Sequence, residues 1–126
     1  MNHWLLDRLS SGDAVLAPAI IYYELRRELL RAQKAAGLAR LDNFVQIDAN
    51  RYLDLTDEAL RLAAELWAKS RQQGRPTSAA PDLDMDVILA AQALTFSAGA
   101  EVIVVTTNTR HLRQFVDARL WTDVGA

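Results

Sequence analysis

Three acidic positions and one amide stand where their types and spacing could do chemistry: Glu24, Asp84, Asp86 and Asn108. In open parallel sheets, ligands bind beyond the carboxyl ends of the strands. Glu24 lies about two helical turns past a short β-rich run, Asp84 and Asp86 open an apolar helix, and Asn108 follows the apolar run 102–105. Carboxylates and an amide meeting at one sheet edge suit a hard cation such as Mg²⁺ or Mn²⁺, which takes oxygen ligands and keeps several waters. Each residue also has a plainer role. Glu24 can pair with Arg27 at i,i+3. Asp84 and Asp86, two apart on one helix, point roughly opposite ways. Asp84 can then serve as an N-cap and leave Asp86 as the functional carboxylate, or both can merely face the helix dipole. Asn108 can cap a helix, and His111 can be a surface or cap contact.

A stripe of Arg27, Arg31 and Lys34, at spacings of four and three, could hold phosphates beside Glu24 or simply form a solvated helix face. Other chemistries fail on the sequence. There is no Gly-x-Gly-x-x-Gly, no phosphate loop ending in Gly-Lys-Ser/Thr and no Gly-x-Ser-x-Gly. Without cysteine there are no disulfides or thiolates, and two histidines make a poor zinc set. The net charge of −2 removes any general polycation, so a basic footprint must be local.

The elements that must position these residues follow from periodicity. At 126 residues, 51% hydrophobic and 24% charged, the chain is read as one globular domain, soluble and cytoplasmic, with no apolar run near the roughly 20 residues of a membrane span. Residues 3–11 read as an amphipathic helix, and 14–17 as a short buried strand closed by Pro18. A helix follows from about 19 to 36, stopped by Gly37, and a shorter one spans 38–45. A brief strand covers 52–55. Thr56 then caps a helix reaching about Gln73, with Leu60, Ala63, Ala64, Trp67 and Ala68 as its buried face and Gly74 as its end. Residues 75–83, with two prolines, read as a loop, and 84–98 as a helix apolar on most sides, closed by Gly99. The run 102–105 reads as a strand buried on both faces, with a helix from about 109 to 116 after it. This alternation implies an α/β domain with a parallel sheet.

Three segments together, Tyr23-Glu24-Leu25-Arg26-Arg27-Glu28-Leu29, the run from Leu83 to Ala93, and Val105-Thr106-Thr107-Asn108-Thr109-Arg110-His111-Leu112, resemble the PIN-domain family. The resemblance covers about residues 14–123. It implies a three-layer α/β/α sandwich and a Mg²⁺- or Mn²⁺-dependent ribonuclease that cleaves RNA phosphodiester bonds, many relatives being toxins of toxin–antitoxin pairs. Position by position, Glu24 matches the family's second acidic residue, Asp86 the third with Asp84 as neighbour, and Asn108 the polar residue after the late strand. Glu24 and Asp86 are the implied metal ligands, RNA the substrate and an antitoxin protein the implied partner.

Two departures follow from the same comparison. His111 stands where the family often has an acid, and nothing before Val15 supplies the strand ending in Leu-Asp with which family members open. The chain thus resembles a PIN domain without its first, central strand, whose removal would bare pairing groups and apolar surface. The expectation is a homo-oligomer or partner-stabilised form, or a shortened version of a longer protein. A catalytically inactive PIN-like module that binds a partner protein or RNA is the second reading, and an unrelated flavodoxin-like regulatory domain the third.

Overall fold

The computed structural model describes residues 15–74, 80–96, 102–106 and 112–120. The expected helix over 3–11, Gly99, Asn108 and His111 lie outside the described residues, as does any strand before Val15. The chain divides into two units, Met1–Asp54 and Leu55–Ala126.

In the first unit, β1 (Ala17–Pro18) leads into α1 (Ala19–Arg31) and α2 (Ala35–Ile47), and a 3₁₀ turn at Ala49–Arg51 precedes β2 (Tyr52–Leu53). β1 and β2 pair in parallel, Ala17 opposite Tyr52 and Pro18 opposite Leu53. A parallel pair needs a crossover of a dozen residues or more, and the two helices supply it. Gly37 does not stop α1, contrary to the sequence expectation. The stop comes at Arg31, because Gln33 turns left-handed at φ 55°. There the Gln33 N–H donates to the Leu30 carbonyl (3.1 Å) and the Lys34 N–H to that of Leu29 (2.9 Å), which is the Schellman pattern. Gly37 serves a different need inside α2, since a Cβ there would come within 2.9 Å of Leu29 Cδ2. α2 therefore begins earlier and runs longer than the 38–45 expected.

The second unit opens with α3 (Asp57–Gln72). Thr56 Oγ1 accepts from the Ala59 N–H at 3.1 Å, Asp57 and Glu58 occupy the first turn and Lys69 and Arg71 the last, so both dipole ends are complemented. Gly74, at φ 62°, closes the helix as expected. The buried face is rotated from the expected one. Ala59, Ala63 and Ser70 are buried, with Leu62 and Leu66 packed on the core, whereas Leu60 is 44% and Trp67 37% exposed. Ala59 and Ala63 meet Leu83, Val87 and Ala91 of the next helix in one core cluster. Small residues at that seam leave no room for the indole, which lies instead under the Arg71 guanidinium at 5.1 Å.

That next helix, α4, runs Ala80–Thr95 and so claims residues expected to be loop. Pro81 is tolerated because it falls in the first turn, where its missing N–H has no intrahelical acceptor to lose. The expected extension to Ala98 is also corrected, since α4 ends at Thr95, whose hydroxyl donates back to the Ala91 carbonyl at 2.8 Å. Leu83, Val87, Leu89, Ala90, Ala91 and Gln92 are all buried, in line with a helix enclosed on most sides. β3 (Val104–Thr106) then pairs in parallel with β4 (Ala118–Leu120), a strand the sequence reading did not anticipate. A 3₁₀ turn at Leu112–Gln114 stands where the later part of a helix was expected.

The architecture is thus helix-rich α/β with parallel strand pairing. Among the described residues the strands form two separate pairs.

Candidate functional site

Glu24 sits in the second turn of α1, half-buried. Its side chain makes no hydrogen bond or ion pair among the described residues, and the expected pairing with Arg27 does not form. Arg27 is held elsewhere: its guanidinium lies over the Tyr23 ring at 5.4 Å and its Nε is 4.0 Å from Glu28 Oε1. Glu28 also takes Arg31, whose Nη2 is 2.9 Å from Oε2. The basic stripe is therefore partly neutralised by Glu28, and Lys34 lies past the end of α1 rather than on its face.

Asp84 and Asp86 occupy the middle of α4's first half, not its N-cap, because the helix begins at Ala80. Asp84 is exposed and stands at an apolar groove of about 200 Å³ lined by Leu60, Ala63, Ala64, Trp67, Val87 and Ile88. Asp86, two residues on, is half-buried and takes part in an interaction of its own. The N-cap role proposed for Asp84 is thereby removed. The opposed directions of the two carboxylates remain, since both lie on one continuous helix. Glu24 belongs to the first unit and the two aspartates to the second. Among the described residues no three His, Asp or Glu side chains gather as a metal-holding group.

Among the described residues, one electrostatic cluster was not read from the sequence. Asp42 of α2 accepts from the Tyr22 hydroxyl at 2.7 Å and from Arg26 Nη1 at 2.6 Å (Oδ1) and 2.5 Å (Oδ2). The Tyr22 and Arg26 hydrogen bonds hold the Asp42 carboxyl below the ordinary carboxylate range. The same Asp42 bond, with burial behind it, raises the Tyr22 phenol. Tyr22 also packs edge-on against Tyr52, with centroids 5.5 Å apart, tying α1 to β2. The spacing of Tyr22 and Arg26 was visible as i,i+4. Their acceptor lies sixteen residues beyond Arg26, on another helix, where no local pattern points. In the second unit Arg119 grips Asp117 through two bonds, Nε at 3.0 Å and Nη2 at 2.9 Å, and lowers its pKa. Asp117 adjoins the start of β4, away from the strand ends where ligands are expected.

No family model and no curated protein sequence matches the chain. Among solved structures, a chain in VapBC2 from Rickettsia felis, bound to a DNA fragment from their promoter, aligns with a TM-score of 0.64 and 18% identity, over 92% of this chain and 81% of that one. A chain in VapBC-1 from nontypeable Haemophilus influenzae aligns with a TM-score of 0.60 and 19% identity, over 96% of this chain and 87% of that one. The fold is accordingly PIN-like, as the three motifs implied.

Proposed function

We propose that the chain is a PIN-like, Mg²⁺- or Mn²⁺-dependent ribonuclease that cleaves RNA phosphodiester bonds and acts as the toxin of a toxin–antitoxin pair. The observation that carries this reading is the fold likeness, over 92% of the chain, to a chain of a VapBC structure. That likeness also supports an antitoxin protein as partner. Glu24 and Asp86 are the proposed metal ligands, with Asp84 and Asn108 assisting. The half-buried, unpaired Glu24 carboxylate supports the first, because a carboxylate so placed keeps its lone pairs for a cation. Mg²⁺ is commonly held by only one or two carboxylates, with water and substrate phosphate completing its shell, so carboxylate oxygens are donors of the kind it takes. When bound, the ion would supply positive charge against the phosphodiester and activate water for attack on it. Arg27 and Arg31, with Lys34, would steer the RNA backbone.

The second reading is an inactive PIN-like module that binds a partner protein or RNA. A Mn²⁺ titration of thermal stability separates the two. An active centre gives a Tm that rises with ion concentration, and Asp86→Asn abolishes that rise while the folded protein's Tm without metal stays near the parent's. Cleavage of single-stranded RNA, run in parallel, is lost in the same variant. No rise in Tm and no cleavage would leave the binding module as the function.

A further inference from the structure

In the second unit a cavity of about 230 Å³ opens between the later half of α3 and the end of the 3₁₀ segment, lined by Leu66, Lys69, Ser70, Gln73, Gln114 and Phe115. Ser70 is 3% exposed, and its hydroxyl oxygen is buried with no hydrogen-bond partner among the described residues. A helical serine or threonine has a ready escape from that state, the bond back to the carbonyl four residues earlier, and Thr95 takes it at 2.8 Å. Ser70 does not. Buried hydroxyls are normally satisfied, so an orphan one on a cavity wall marks a place where a hydrogen-bonding ligand is missing.

The lining says what kind of ligand. A purely apolar molecule would leave the hydroxyl and two amides unpaired. Among the described lining residues a metal cation finds no carboxylate and one ammonium to repel it. A bare anion would meet one cation among the described lining residues, Lys69, and waste the apolar walls of Phe115 and Leu66. What uses every wall is a flat ring with an apolar face and a donor–acceptor edge, joined to a negative group. The volume lies below the roughly 300–1,000 Å³ of drug-sized sites, which limits the occupant to about one ring system.

We infer that this cavity takes a single nucleobase of a nucleotide. The base rests on Phe115, its edge is read by Ser70, Gln73 and Gln114, and its phosphate is met by Lys69, the combination by which unstacked bases of single-stranded RNA are held. The inference deepens the RNA reading above and rests on it for the source of the base.

The test is metal-free titration, in chelator, of the full chain with the four ribonucleoside monophosphates, their nucleosides and inorganic phosphate, followed by calorimetry and amide chemical shifts. At least one monophosphate binds more tightly than its nucleoside, and phosphate alone does not bind. Ser70→Ala weakens that nucleotide by roughly tenfold, the value of one hydrogen bond, while its Tm equals or exceeds the parent's because an unpaired buried hydroxyl has gone. Lys69→Ala brings the monophosphate down to the nucleoside's affinity.

Phosphate binding as well as the nucleotide, no binding at millimolar concentration, or an unchanged affinity in Ser70→Ala would each overturn the inference. The nucleotide titration and a Mn²⁺ titration of the parent chain, run side by side, separate the two claims. Base binding retained without Mn²⁺ response leaves the cavity standing and the nuclease fallen, whereas Mn²⁺-dependent cleavage without base binding does the reverse.

Discussion

Replacing Leu83 with alanine tests the packing that sets the rotation of α4, and with it the direction of Asp86. Leu83 is fully buried, and its core neighbours across the helix seam are Ala59 and Ala63 of α3, with Val87 and Ala91 on its own helix. Alanines have no side-chain freedom with which to fill a void, so the cavity left by the lost isobutyl group closes only as far as the partly buried Leu62, Leu66, Ile88 and Phe115 packed against the cluster can shift. Leu→Ala substitutions in cores cost about 2.7–5 kcal/mol, rising with residual cavity volume, and a site walled by alanines belongs near 4 kcal/mol.

With an unfolding entropy of about 2.1 cal/mol/K per residue, a loss of that size lowers Tm by about 15 °C for a chain of this length. The control is Leu60→Ala. Leu60 is 44% exposed, so it gives up only part of a leucine's burial energy and costs about 1 kcal/mol. Urea unfolding measures both, with the midpoint falling about four times as far for Leu83→Ala at an unchanged slope. Equal losses would refute the reasoning, because they would put Leu60 and Trp67 back on the buried face and turn both helices about their axes.

Two further outcomes follow from the first unit. Asp42 titrates below its ordinary value of about 3.9, so its pairing with Tyr22 and Arg26 contributes fully above that pH and is lost as pH falls through the folded-state value. Tyr22 titrates above its ordinary value of about 10, so its contribution holds below pH 10 and disappears as pH rises through the raised value. Urea midpoints measured across pH therefore lose part of their acid slope in Asp42→Asn and part of their alkaline slope in Tyr22→Phe; slopes identical to the parent's would dissolve the cluster. Gln33→Gly relieves a left-handed backbone at φ 55° and stabilises the chain by about 1 kcal/mol, read as a raised urea midpoint, whereas a lowered midpoint would mean the Schellman stop depends on the glutamine side chain.

Much of this protein was settled by local chemistry. Thr56 with Asp57 and Glu58, the left-handed glycine at 74 and the apolar wrap of α4 needed only neighbours a few residues away, so their sequence signals were decisive. The α/β alternation and three ordered motifs were likewise enough to name the PIN-like fold, which the TM-score of 0.64 bears out. Tertiary structure decided the rest. Leu60 and Trp67 looked like core by period, but the face that closes on α4 is the one with alanines at 59 and 63, because close helix approach rewards small side chains at the seam. Pro81 looked like loop, yet a proline in a first turn costs the helix nothing. Gly37 looked like a stop, and was needed instead for the approach of Leu29. Glu24 was visible as an acid in the right place. That Arg27 would turn to Tyr23 and Glu28, leaving the carboxylate unpaired, was a choice among three partners within one helical turn. Sequence offers all three, and only the folded geometry selects one.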